Sequence, residues 1–108
     1  MNEVTLKIVD LAGTPFCIAL EDGEKVMNAI AEQLKLGNHI VLDFAEIELL
    51  TSSFLNAAIG DLYEDFTEEE IRDHLRLVNV TKDDRCLIQY VISNAKLFYS
   101  KKHQGDAA

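Results

Sequence analysis

Positive charge is scarce in this 108-residue chain: 10 Lys and Arg stand against 19 Asp and Glu, a formal net charge of -9. The field of such a chain repels phosphate backbones and anionic lipid headgroups, so nucleic acid and membrane surfaces are not expected as partners. Cysteine is almost absent. Cys17 and Cys86 are the only two, without C-x-x-C spacing or a nearby histidine pair, and both are expected as buried free thiols rather than a disulfide or a metal site. Long apolar runs are missing too: nothing approaches the roughly 20 residues needed to span a bilayer. The opening MNEVTLKIVD has neither a basic region nor an apolar core of the kind a secretion signal needs. A soluble, cytoplasmic protein is the expectation.

The residue clusters that carry chemistry are equally absent. Gly13, Gly23, Gly37, Gly60 and Gly105 are spread too widely for a phosphate-binding loop. His39, His74 and His103 are scattered singly, which suits neither a zinc shell nor a catalytic pair. The acids Glu64, Asp65, Glu68, Glu69, Glu70 and Asp73 read as a solvated face rather than a cation site. No nucleophile can be matched with a base, so the chain is read as a non-enzyme with no catalytic residue, no metal and no cofactor.

What is present is enough apolar material for one core, 48% of residues, and a pattern that switches between two periods. Val4, Leu6 and Ile8 alternate with polar neighbours as a strand, and Phe16 to Leu20 reads as a second strand turning at Glu21-Asp22-Gly23, plausibly a hairpin with the first. Val26, Met27, Ile30, Ala31 and Leu34 recur at helical steps from Glu24 to the stop at Gly37-Asn38. His39 to Phe44 is a dense β run that fits a central strand covered on both faces. Leu55, Ala58, Ile59, Leu62 and Phe66 form a second stripe, in which Gly60 is expected to allow a close packing contact. Thr67 and Glu70 have capping-box spacing and start a short helix to about Asp73. Leu75 to Val80 is a further strand. Thr81 and Asp84 open a last helix with Leu87, Ile88, Val91, Ile92, Ala95 and Phe98 on its stripe. The expected fold is α/β, a mixed β-sheet of about four strands packed with about four helices. It forms one domain over residues 1–100 with a flexible tail at 101–108.

One stretch remains, LLTSSFLNAAIG at residues 49 to 60. Thr51, Ser52 and Ser53 can each cap a helix that begins there, worth about 1 kcal/mol. A phosphate on a serine in that first turn would also lie near converging N–H groups and add charge to a surface that meets a partner. The run VLDFAEIELLTSSFLNAAIGDLYEDF, residues 41 to 66, resembles the strand-loop-helix centre of STAS domains, the fold of bacterial anti-sigma-factor antagonists. Leu42-Asp43-Phe44 followed by Ser52-Ser53-Phe54 is similar to the pattern of a STAS-like family of unknown function.

The resemblance places Ser52 on the phosphorylatable serine of the antagonists and Ser53 on the serine after it. Thr51 and Phe54 stand where those proteins carry aspartate and glycine, residues engaged by a kinase of the GHKL ATPase type. The resemblance therefore implies a regulatory interaction module with Ser52 and Ser53 as phosphorylation candidates. Its partner surface would comprise Thr51, Ser52, Ser53, Phe54 and Asn56, with Phe54 as an exposed anchor and Leu55 in the core. The implied partner is a protein, a GHKL-type ATPase or kinase, and the chain itself is expected as a monomer or homodimer. The competing expectation is a structural or self-associating protein that uses an exposed sheet edge at residues 4 to 9.

Overall fold

The computed structural model describes residues 2–107, with side-chain surroundings for residues 2–100. The tail expected at 101–108 falls outside the described side chains. Alternation at Val4 and Leu6 produces β1, Glu3–Lys7, but the strand ends before the expected Val9. Ile8–Ala12 instead turns into α1, closed by Gly13 at φ 76° with its N–H on the Val9 carbonyl. β2 is only Phe16–Cys17.

The expected turn at Glu21-Asp22-Gly23 is in fact the first turn of α2, Leu20–Lys35. Two acids beside the unpaired N–H groups of a helix start are favourable, which is why these polar residues continue a helix rather than break a hairpin. Val26, Ile30 and Leu34 form the buried stripe of α2. Gly37, at φ 77°, terminates it: its N–H donates to the Leu34 carbonyl and that of Asn38 to the Gln33 carbonyl, a Schellman closure that needs a left-handed residue.

β3, His39–Asp43, is the central strand, as its apolar run predicts. It pairs in parallel with β1 on one side and with β5, Leu75–Val78, on the other. A second ribbon joins β2 to β4, Leu49–Leu50, again in parallel. All described pairings are parallel, so the hairpin between the first two strands does not form, and the sheet of about four strands divides into three and two. The reason lies in α1 and Gly13, which carry the chain off the sheet, leaving the Pro15 carbonyl to accept from the N–H groups of Glu48 and Leu49.

Register puts Leu6, Leu42 and Leu77 side by side, and all three belong to the core or pack on it. On the opposite face Val41 is buried between its register partners Thr5 and Arg76.

After β4 comes an interrupted helix: α3 at Ser52–Leu55, a π segment at Asn56–Gly60 and α4 at Leu62–Asp65. The Asp61 N–H reaches back five residues to the Asn56 carbonyl at 2.9 Å. That widened turn buries Ala57, Ala58, Ile59 and Gly60 in succession, which a regular 3.6-residue stripe cannot do. Helix α2 packs on this segment. The close contact expected at Gly60 occurs at Gly23: a Cβ there would lie 2.5 Å from the Phe54 carbonyl oxygen, whereas one at Gly60 would meet nothing nearer than 3.5 Å.

α5, Glu68–His74, has the full capping box between Thr67 and Glu70. α6, Lys82–Ala107, starts with the Asp84 N–H on Thr81 Oγ1 at 3.2 Å and buries Ile88, Val91 and Ala95. Phe98 departs from the expected stripe and is 64% exposed. Two further readings are corrected. Cys86 is exposed while Cys17 is buried, because Cys86 lies on the outer side of α6 with Gln89 and Tyr90. His39 and His74, distant in sequence, are brought together by the β3–β5 pairing and stack with ring centroids 4.8 Å apart.

Candidate functional site

The three hydroxyl residues before Phe54 divide their tasks. Thr51 is the N-cap of α3, in extended conformation, and its Oγ1 accepts the Phe54 N–H at 3.2 Å. Thr51 also ties this helix start to β2: its backbone N–H donates to the Cys17 carbonyl at 3.1 Å and its hydroxyl to the Ile18 carbonyl at 3.2 Å. Ser52 and Ser53 are exposed. Among the described residues neither hydroxyl has a hydrogen-bond partner. Thr51→Ala should therefore cost about 1 kcal/mol or slightly more, while Ser52→Ala and Ser53→Ala should stay within about 0.5 kcal/mol. Urea midpoints of the three variants check this; an equal loss from either serine variant would overturn the division of tasks.

Phe54 is not an exposed anchor. It is 0% exposed and heads the largest fully buried side chains, so it is removed from the partner surface. Its place in α3 sits beneath the first turn of α2, at the spot where Gly23 presents no side chain. Leu55 is likewise 0% exposed and joins the core as expected. Asn56 is exposed and lines a shallow cavity of about 250 Å³ with Gly60, Asp61, Asn94 and Tyr99, in which neither serine takes part. There the Tyr99 hydroxyl donates to Asp61 at 3.1 Å. Burial first, and then this bond with its carboxylate, push the Tyr99 phenol up to about 12.

The apolar surface that does stand beside the serines escaped the sequence. Phe16 and Leu49 are register partners and are 53% and 48% exposed, with Ile18 and Leu20 at 47% and 51%. Their partners Cys17 and Leu50 point inward. Phe16-Cys17-Ile18 thus alternates out, in, out, but three residues are too few to reveal a period and the run reads as wholly apolar. The Thr51 bonds to Cys17 and Ile18 place Ser52 directly at the edge of this patch. Exposed Glu21, Glu24 and Glu48 flank it in sequence. Burial, followed by the charge of Asp22, pushes the Cys17 thiol up to about 11, which keeps it protonated and unreactive near neutral pH.

The connection from β3 to this patch is held at its origin. Asp43 accepts from the Asn79 side chain at 2.8 Å and the Ala45 N–H at 2.9 Å, and these bonds hold its carboxyl below the usual range. Lys7 forms an ion pair with Glu46. Glu46, in the connection from β3 to β4, and Asn79, directly after β5, both adopt positive φ, 66° and 59°.

Among the described residues no group of three or more His, Cys, Asp or Glu is arranged to hold a metal ion. No described helix is long and apolar enough to cross a membrane. The site offers exposed apolar side chains, two unengaged hydroxyls and the Thr51 cap.

No curated protein and no solved structure matches the chain. A family model does: the one described as a STAS-like domain of unknown function (DUF4325) covers residues 22–85, from the first turn of α2 through all of β3, the serine segment and β5 into α6. With more than half of its length matched, and an α/β fold built on parallel strands, the chain belongs to this STAS-like family.

Proposed function

We propose that the chain is a non-catalytic interaction module of bacterial regulation, docking on a protein partner through Phe16, Ile18, Leu20 and Leu49 beside Ser52 and Ser53. The observation that carries this reading is the coincidence of an exposed apolar patch with two hydroxyls that the fold leaves unused. Contiguous apolar surface of this kind marks contact sites in soluble domains. The partner is a cytoplasmic ATPase or kinase of the GHKL type, and the modification is a phosphate on Ser52. Because Thr51 holds the cap, phosphorylation adds about 1.5 to 2 negative charges without dismantling the helix start.

Two measurements test the reading. Incubation with ATP and a GHKL-type ATPase of the source cell should add one phosphate to the intact mass, absent in Ser52→Ala. The double variant Phe16→Ser with Leu49→Ser should weaken partner binding at least tenfold by calorimetry while its urea midpoint barely moves. Full binding by that variant would remove the patch from the interface. The second reading, self-association, draws on β1, which lies at an edge of the three-stranded sheet. Light scattering during the same titration separates the two, since a dimer unaffected by the patch variant supports the edge.

A further inference from the structure

We propose a second binding site, independent of the patch: a cleft at the N-terminal ends of β1, β3 and β5 that holds a small tetrahedral oxyanion, phosphate or a phosphomonoester. The cleft measures about 350 Å³ and is lined by Glu3, His39, Arg72, Asp73, His74 and Arg76 among others. In a chain of net charge -9, two of the three arginines and two of the three histidines thus meet in one place.

The geometry favours an anion over a metal ion. The two imidazoles lie face to face, 16° from parallel, so their in-plane nitrogens point along parallel planes rather than toward one centre, and two guanidinium groups stand beside them. His74 Nδ1 is 2.9 Å from the Glu70 carbonyl oxygen. A carbonyl only accepts, so Nδ1 carries hydrogen and Nε2 is the free position. Arg72 meets the neighbouring Asp73 through Nε at 3.5 Å, and its side chain is largely exposed. Among the described residues Arg76 has no ion-pair partner. Guanidinium forks match phosphate oxygens in pairs.

The charged groups facing the histidines are Glu3 from β1, Arg72 and Asp73 from α5 and Arg76 from β5, two carboxylates against two guanidinium groups. With neutral imidazoles the cleft is balanced. With both protonated it carries two excess positive charges, and the stacked rings then repel unless an anion lies against them.

Sulfate, which keeps its double charge across the relevant range, is the probe. Histidine ring resonances of the whole chain are followed by NMR during sulfate titration at about pH 5.5 and about pH 8. The expected result is a saturable shift of His39 and His74 at the lower pH, at least tenfold weaker at the higher, and at least fivefold weaker in Arg76→Gln. Inorganic phosphate against glycerol phosphate then distinguishes the free ion from a monoester. Absence of saturation at the lower pH, or the same affinity in wild type, Arg76→Gln and Arg72→Gln, overturns the site; dispersed amide spectra of these exposed variants exclude misfolding as the cause.

Discussion

Phe54→Ala is expected to remove about 3 to 5 kcal/mol of stability, the cost of emptying a fully buried aromatic position. A domain of this size has about 5 to 15 kcal/mol in total, so much of the variant population would be unfolded at modest denaturant. The ring is 0% exposed and belongs to the cluster that includes Val26, Ile30, Leu55 and Ile59. Urea denaturation followed by circular dichroism reads the loss directly, and Phe54→Leu should recover most of it. A shift below about 1 kcal/mol would place the ring outside the core. The result also governs how binding experiments are read: failure of Phe54→Ala to capture a partner reports unfolding, whereas failure of the Phe16 and Leu49 variants reports the surface.

Gly23→Ala sets two effects against each other. In an ordinary helix the change stabilises by about 1 kcal/mol, because glycine loses more backbone freedom on folding. Here the new Cβ would lie 2.5 Å from the Phe54 carbonyl oxygen and 2.9 Å from Ala57 Cβ. The first of these is main chain and cannot rotate away, so α2 must separate from the segment it packs on. Overpacking of this kind costs about 1 to 3 kcal/mol and at times more. The clash wins, and a net loss of about 2 kcal/mol is expected, larger still for Gly23→Val. A lower urea midpoint with unchanged slope is the signature; an Ala variant as stable as wild type would mean that the two elements do not approach this closely.

Local signals in the sequence carried far. The capping box at Thr67 and Glu70, the cap at Thr81, the stripes of α2 and, apart from Phe98, of α6, and the apolar run of β3 all depend on neighbours a few residues away, and are realised. The errors share a different origin. Whether β2 folds back on β1 or meets β4 is decided by Pro15 and Leu49 together, residues far apart along the chain. The burial of Phe54 depends on α2 lying over it and on the absence of a side chain at Gly23. The neighbouring π segment adds a residue to the turn, so Ala57 and Gly60 are buried along with the expected Leu55, Ala58, Ile59 and Leu62. The histidine pair exists only because β3 and β5 are adjacent. At the candidate site the serines were legible from a local motif; the apolar patch beside them was not, since its two halves come from separate strands.

The parallel pairings have a consequence for how the chain acquires its shape. Each ladder, Glu3 with His39, Phe16 with Leu49, Ile40 with Leu75, joins segments separated by at least one helix and its connections. Among the described residues no hairpin exists to form early and guide the rest, and the entropy of closing a long loop is met before the first inter-strand bond returns anything. During synthesis β1 leaves the ribosome with neither edge satisfied and stays so until β3 follows; β3 in turn waits for β5. The sheet is completed late, when β5 arrives, and until then its apolar strands depend on the helices beside them to stay out of contact with other chains.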